Sequence, residues 1–181
     1  MPATLHVIEL ARSLPMVPGR LATMARPRGG AQLAEELTAL RAAGVDVVVS
    51  ALTPGEAGEL DLTGEADAVR AAGMEFVAHP IVDLGVPDPA ETAALADTLA
   101  AAVAAGRFVV VHCWAGIGRS SLIAGSVLVR FGIPPAQAWR LIAAARGFRV
   151  PETAEQGQWL VAFAARGDTP RPMPNNRRDH E

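Results

Sequence analysis

Apolar positions along the chain follow two rhythms. Within residues 31–43, Leu33, Leu37 and Leu40 recur at the spacing of one helix face, and Gly44 follows as a natural stop before the β-branched run VDVVVS at 45–50. That pattern predicts a helix feeding a buried strand. A proline-started helix at 54–60 and a second helix at 65–72, ended by Gly73, lead into a further strand, EFVAHPI, at 75–81. The loop DLGVPDPAET at 83–92 carries glycine, two prolines and acidic residues, the signature of entry into a helix. An alanine-rich helix then runs to residue 105 and stops at Gly106. RFVVVHC at 107–113 is a continuous apolar run, as expected of a central parallel strand covered on both faces. Helices are predicted at 119–130, 135–145 and 153–165. Near the N-terminus, LHVIEL and GRLATMA lie either side of a proline-rich turn and suit a hairpin or two edge strands.

Strands alternating with helices imply the α/β class. The expected architecture is a three-layer sandwich, a mostly parallel central sheet flanked by helices. Residues 1–166 are expected to form a single domain, and the polar, proline-rich stretch 167–181 a disordered tail. In parallel sheets ligands sit at the carboxyl ends of the strands, and Cys113 ends the most apolar strand of this chain.

Composition narrows the chemistry. Of 181 residues, 50% are hydrophobic and 19% charged, which suits one domain with a real core. The net charge of −3 gives no reason to expect a nucleic-acid partner. All 16 basic residues are arginine, so a lysine Schiff base or a lysine-bearing P-loop is excluded. With no tyrosine, control by the chain's own tyrosine phosphorylation is excluded too. A lone cysteine forms neither an internal disulfide nor a cysteine-rich zinc site, and suggests a reducing, cytoplasmic setting. His6, His79 and His180 show no metal-binding spacing, and no cofactor is expected. The start MPATLHVIELARSLP lacks a secretory pattern and no apolar run is long enough to span a bilayer, so no membrane partner is expected. The alanine and arginine bias hints at a GC-rich bacterial coding sequence, and nothing in the chain fixes an oligomeric state.

The stretch HCWAGIGRSS at 112–121 holds the lone cysteine. A single cysteine after an apolar strand is ordinarily an inert small hydrophobe. The loop around it changes that expectation. Between a strand and a helix N-terminus, successive N–H groups form a nest for a tetrahedral anion, and the helix dipole reinforces it. Gly116 and Gly118 permit tight backbone turns, and Arg119 offers a planar fork to two phosphate oxygens. The positive surroundings that hold phosphate also favour a thiolate at Cys113, a nucleophile beneath a bound phosphoryl group.

HCWAGIGRSS resembles the His-Cys-x5-Arg-Ser/Thr signature of the cysteine-dependent protein tyrosine and dual-specificity phosphatases. Across 44–160, including HPIVDLGVPD and PETAEQ, the chain is similar to their kinase-associated phosphatase type, also called cyclin-dependent kinase inhibitor 3. The resemblance implies a protein tyrosine phosphatase-like fold and a metal-independent phosphatase. Its substrate would be a phosphorylated protein or small phosphomonoester, with phosphotyrosine first and phosphoserine or phosphothreonine possible. It implies that Cys113 forms a cysteinyl-phosphate, that Arg119 binds the phosphoryl oxygens, and that Ser120 hydrogen-bonds the thiolate as it leaves. Trp114, Ala115, Gly116, Ile117 and Gly118 would make the cradle, with His112 behind it holding the loop backbone. Asp83 matches the position of the family's general acid. Asp88 is the second candidate, although it could instead cap the next helix. In the family, glutamines on a downstream loop position the hydrolytic water. Gln156 is present here, but the earlier position holds Glu152, which could orient water, repel phosphate or cap a helix.

Other residues keep two readings. Arg146 and Arg149 could form a basic rim, or cap a helix end and pair with carboxylates. Trp114 and Ile117 could floor the pocket or pack on neighbouring elements, and Trp139 and Trp159 fall at core helical positions. Two other functions remain open. A rhodanese-like sulfurtransferase also cups a cysteine in an anion loop, though the Arg-Ser ending argues against it. A phosphoprotein-binding module with weak turnover is favoured only by Glu152.

Overall fold

The computed structural model describes residues 3–167. Within them the strands are β1 (His6–Val7), β2 (Arg20–Ala25), β3 (Val47–Ser50), β4 (Glu75–Ala78) and β5 (Phe108–Cys113). They form one sheet in the order β1-β2-β5-β3-β4. β5 pairs in parallel with β2 and β3, and β3 pairs in parallel with β4. All six residues of β5 are buried, which is why that stretch of sequence is apolar without a break. Only β1 runs antiparallel, against β2.

LHVIEL and GRLATMA thus contribute the antiparallel pair that the hairpin reading expects, but GRLATMA belongs to the interior of the sheet and not to an edge. β2 is flanked on both sides and buries four of its six residues; the antiparallel edge is the two-residue β1. EFVAHPI is a strand only over its first four residues, because Pro80 has no N–H to donate. His79 N and Ile81 N still bond Ser50 O and Ala51 O, at 2.9 and 3.1 Å, so the chain leaves β4 along the end of β3.

The helices are α1 (Leu33–Ala42), α2 (Pro54–Glu59), α3 (Glu65–Ala71), α4 (Pro89–Ala104), α5 (Arg119–Arg130), α6 (Pro135–Arg146) and α7 (Ala154–Arg166). Alternating residues of β5 separate them into two layers. Val109, Val111 and Cys113 pack with Leu99 of α4, Ile123 and Val127 of α5, Ile142 of α6 and Leu160 of α7. Phe108 and Val110 pack with Leu37 and Leu40 of α1 and Val69 of α3. The result is a sandwich of helices, sheet and helices. α5 is buried from Arg119 through Leu128, which places its first turn against the carboxyl end of β5. No helix among the described residues is long and apolar enough to cross a membrane. The stretch 168–181, where most of the expected tail and His180 fall, lies outside the described residues.

Candidate active site

Cys113 is the last residue of β5, and its Sγ lies 3.5 Å from Ser120 Oγ in the first turn of α5. Between them the loop 114–118 is pressed onto the end of β2. Trp114 O accepts from Arg26 N at 3.2 Å. Gly116 has φ +71°, and a Cβ there would fall 2.2 Å from Met24 O, so only glycine fits. The N-terminus of α5, at Gly118, has no side-chain cap. Its first N–H groups thus face the loop as donors, with the positive end of the helix dipole behind them.

Arg146 does not cap its helix or pair with a carboxylate. It is buried, and its Nη2 donates to Ala115 O at 3.2 Å, bracing the loop from α6. Burial pushes its pKa below the ordinary arginine value, partly opposed by the nearby Cys113. Trp114 does not floor the site: it is an exposed side chain with the Arg26 guanidinium 5.1 Å from its ring centre. Ile117 is half-buried and packs against the core beneath.

Arg119 is 1% exposed. Its Nη1 donates to Glu56 Oε2 at 2.8 Å and to Ile81 O at 3.0 Å, and its Nη2 lies 3.1 Å from Asp83 Oδ1. Burial alone would lower its pKa. The Glu56 hydrogen bond and the electrostatic influence of Cys113, Glu56 and Asp83 outweigh that and raise it above the ordinary value. Glu56 is a site residue that the sequence reading missed. Its detectable signal is Thr53-x-x-Glu56 ahead of a proline-started helix: the two form a capping box, with Thr53 N donating to Glu56 Oε2 at 2.8 Å. Nothing in that spacing reveals that the same carboxylate also grips Arg119, 63 residues away.

His112 points to the other side of the sheet. Its Nε2 lies 2.8 Å from Glu65 Oε1 of α3, both side chains buried, and its Nδ1 lies 3.4 Å from Cys113 O. The imidazole therefore sits behind the loop, between the strand end and the Glu65 carboxylate. Glu65 is the second residue missed, since a glutamate in the first turn of a helix reads as a dipole partner.

The two candidate acids separate cleanly. Asp83 is largely exposed and reaches Arg119. Asp88 is the cap of α4, accepting from Ala90 N and Glu91 N at 2.9 Å each. The loop between them is fastened to α7. The buried Gln156 donates from Nε2 to Gly85 O at 3.2 Å and accepts at Oε1 from Glu152 N at 3.1 Å. Trp159 Nε1 donates to Pro87 O at 3.0 Å, and its ring stacks on Phe163. Glu152 and Gln156 both stand over Gly118, where a Cβ would meet Glu152 Oε2 at 2.2 Å and Gln156 Oε1 at 2.8 Å. Trp139 is half-buried and lines an open hollow with Arg149 and Glu152. Arg149 is exposed. His6 Nδ1 lies 3.2 Å from Ala145 O and His79 Nε2 3.0 Å from Thr92 Oγ1. Among the described residues no three His, Cys, Asp or Glu side chains cluster as a metal site.

The model of the cyclin-dependent kinase inhibitor 3 (CDKN3) family matches residues 25–139, more than half of the chain. The chain belongs to that family. Human cyclin-dependent kinase inhibitor 3 (Homo sapiens) is 29% identical over 126 residues, which make up 68% of this chain and 59% of the relative. The match thus spans about three fifths of the curated relatives' length. A crystal structure of kinase associated phosphatase, with its catalytic-site cysteine substituted by serine, superposes with a TM-score of 0.79 at 23% identity. It covers 92% of this chain and 96% of that one, and shows the fold. Tk-PTP in its active form gives a TM-score of 0.69 at 25% identity, over 83% of this chain and 95% of that one. Glu56, Asp83, Cys113, Arg119 and Ser120 all lie inside the CDKN3 match, whereas Arg146, Glu152 and Gln156 lie beyond it.

Proposed function

We propose that this CDKN3-family chain is a metal-independent phosphomonoesterase. It acts on phosphotyrosine, and also on phosphoserine or phosphothreonine, through a cysteinyl-phosphate on Cys113. The observation that carries it is one juxtaposition: Cys113 Sγ beside Ser120 Oγ, under an uncapped helix N-terminus, with a buried Arg119 held in place by Glu56 and met by Asp83. The phosphate dianion takes over the guanidinium from Asp83. The released carboxyl is then free to turn toward the leaving oxygen. Cys113 attacks phosphorus, the bond to the leaving oxygen breaks, and Asp83 gives that oxygen its proton. In the second step Asp83 takes a proton from water, the water oxygen attacks phosphorus, and the P–S bond breaks. The Ser120 hydroxyl donates to the departing thiolate. The unit of function is a single domain over 1–166, in a reducing cytoplasm where Cys113 stays unoxidised.

The test is hydrolysis of p-nitrophenyl phosphate against pH with EDTA present. Activity survives EDTA and is abolished in Cys113→Ser. In Asp83→Asn, kcat falls about 100-fold and the alkaline limb of the profile disappears. Activity that requires a metal, or that persists in Cys113→Ser, refutes the mechanism. One observation favours a second reading, a phosphoprotein-binding module with slow turnover: the Glu152 carboxylate stands over Gly118, where it opposes an incoming anion. Tight phosphopeptide binding without hydrolysis, with turnover appearing in Glu152→Gln, decides for it.

A further inference from the structure

Seven large apolar side chains are exposed among the described residues: Val7, Met16, Val82, Leu84, Trp114, Phe148 and Val161. Four of these sit on the three loops that frame the cradle. Val82 and Leu84, 73% and 53% exposed, stand on either side of Asp83, which reaches Arg119. Trp114 follows Cys113 directly. Phe148 lies beneath the guanidinium of Arg146, 4.6 Å from its ring centre, and that same arginine grips Ala115 O. Scattered exposed apolar residues such as Val7, Met16 and Val161 need no explanation, but four on the loops around one cradle mark an interaction surface.

Leu84 adds an independent observation. It occupies the third position of a turn closed by Gly85 N donating to Val82 O at 2.9 Å, and its φ is +59°. Glycine takes that left-handed position without strain, yet glycine comes one residue later and leucine is forced to adopt it. The side chain so placed is half in solvent, so core packing does not account for it. Strain kept at the lip of a site is what a contact with a ligand explains.

We propose, building on the phosphatase reading above, that Val82, Leu84, Trp114 and Phe148 form a docking surface for a phosphoprotein segment. The residues of that segment next to the phosphorylated one are bulky and apolar. Charge selects a protein over a lipid bilayer: the carboxylates of Asp83 and Glu152 stand among the arginines Arg26 and Arg149 at this rim, so it is mixed in sign and lacks the all-basic patch that holds anionic headgroups, and the chain's net charge is −3.

The test measures fluorescence anisotropy of the full-length Cys113→Ser protein with two phosphotyrosine peptides, one flanked by leucine and phenylalanine, the other by glycine and serine. The apolar-flanked peptide binds at least tenfold tighter, about 1.4 kcal/mol. Adding Leu84→Gly and Phe148→Ala shrinks that advantage to threefold or less. The Leu84→Gly change relieves strain and leaves the melting temperature no lower, so unfolding does not account for the loss. Equal affinity for both peptides, or an advantage that survives the substitutions, overturns the proposal. So does co-sedimentation with phosphatidylcholine–phosphatidylserine vesicles without peptide discrimination. Hydrolysis of the same peptides by the intact chain is read separately: a peptide preference without turnover refutes the phosphatase and leaves the docking surface standing.

Discussion

Glu56→Ala is the perturbation that best separates a fitted cradle from a fortuitous one. Its Oε2 accepts from Arg119 Nη1 at 2.8 Å, Thr53 N at 2.8 Å and Thr53 Oγ1 at 2.9 Å. Losing a charge-assisted bond to a buried guanidinium costs about 1.5–3 kcal/mol, and losing half of a capping box about 1 kcal/mol. Arg119 keeps Ile81 O and Asp83, and Glu56 is partly open to solvent, so the expected total is roughly 2–4 kcal/mol. At about 2–4 °C per kcal/mol for a chain of this size, the melting temperature falls by roughly 4–16 °C. An arginine freed at one nitrogen shifts off its target, and misplacement of about 1 Å lowers kcat/KM about 100-fold. The acid side carries a further sign. Burial alone would raise the pKa of Glu56, but the Arg119 and Thr53 hydrogen bonds outweigh it and lower the value below 4.5. The stability this contributes is present above pH 4.5 and is lost as pH falls through the lowered folded value; Glu56→Gln removes that part of the acid dependence. The assays are thermal unfolding from pH 3 to 7 and steady-state hydrolysis of p-nitrophenyl phosphate. If Glu56→Ala melts within about 2 °C of the parent and keeps kcat/KM within about threefold, Glu56 does not position Arg119.

Three further outcomes follow from the same geometry. Asp88→Ala removes two bonds at the start of α4 and lowers stability by about 1 kcal/mol, while the alkaline limb of the pH–rate profile persists; its loss in this variant would make Asp88 the acid. The Phe108 N–H and, less strongly, Arg41 hold the pKa of Asp46 below 3.8, so the stability it supplies above that value is lost as pH falls further. Asp46→Asn flattens the unfolding free energy in that acid window, checked by urea titration at pH 2.5–5. Gly116→Ala combines a left-handed backbone with a Cβ 2.2 Å from Met24 O, and costs about 2–4 kcal/mol together with the loss of phosphate binding, measured by calorimetry with vanadate.

The layer arrangement was legible because this chain's periodicities are clean. The apolar run at 107–113 became the buried centre of the sheet, and the helix at 135–145 gained one residue, Arg146. At the N-terminus the hairpin reading held, since β1 and β2 pair antiparallel, while the edge-strand reading failed because of a neighbour distant in sequence. GRLATMA looks like an edge because it is short and lies beside prolines; it is interior because β5, some 85 residues later, pairs with it. The loop HCWAGIGRSS announced its anion cradle by local chemistry alone, since glycines, a strand end and a helix start are all close in sequence. The supports were not announced. Glu56 has an ordinary capping role and Glu65 an ordinary helix-start position. What each does at the site comes from a partner on a different element, Arg119 in one case and His112 in the other. Arg146 was placed wrongly because its partner is a backbone carbonyl, and no side-chain pattern encodes one.

The fastening of the segment 79–88 bears on how a proton donor can work here. Ile81 O accepts from Arg119, Gly85 O from Gln156 and Pro87 O from Trp159, while Asp88 caps α4. Those ties come from α5, α7 and the start of α4, so the loop is held from three sides before any substrate contributes. A general acid on a hinged lid is positioned by closure, and closure then enters the rate. Asp83 on this loop is positioned by the fold. In the proposed reaction its partner changes from guanidinium to phosphate while its backbone stays where it is. Turnover then depends on the ties more than on a loop motion. Loosening Gln156 or Trp159, neither of which is an acid, would cost chemistry through the position of Asp83, and Asp83→Asn added to either variant would have little further activity to remove.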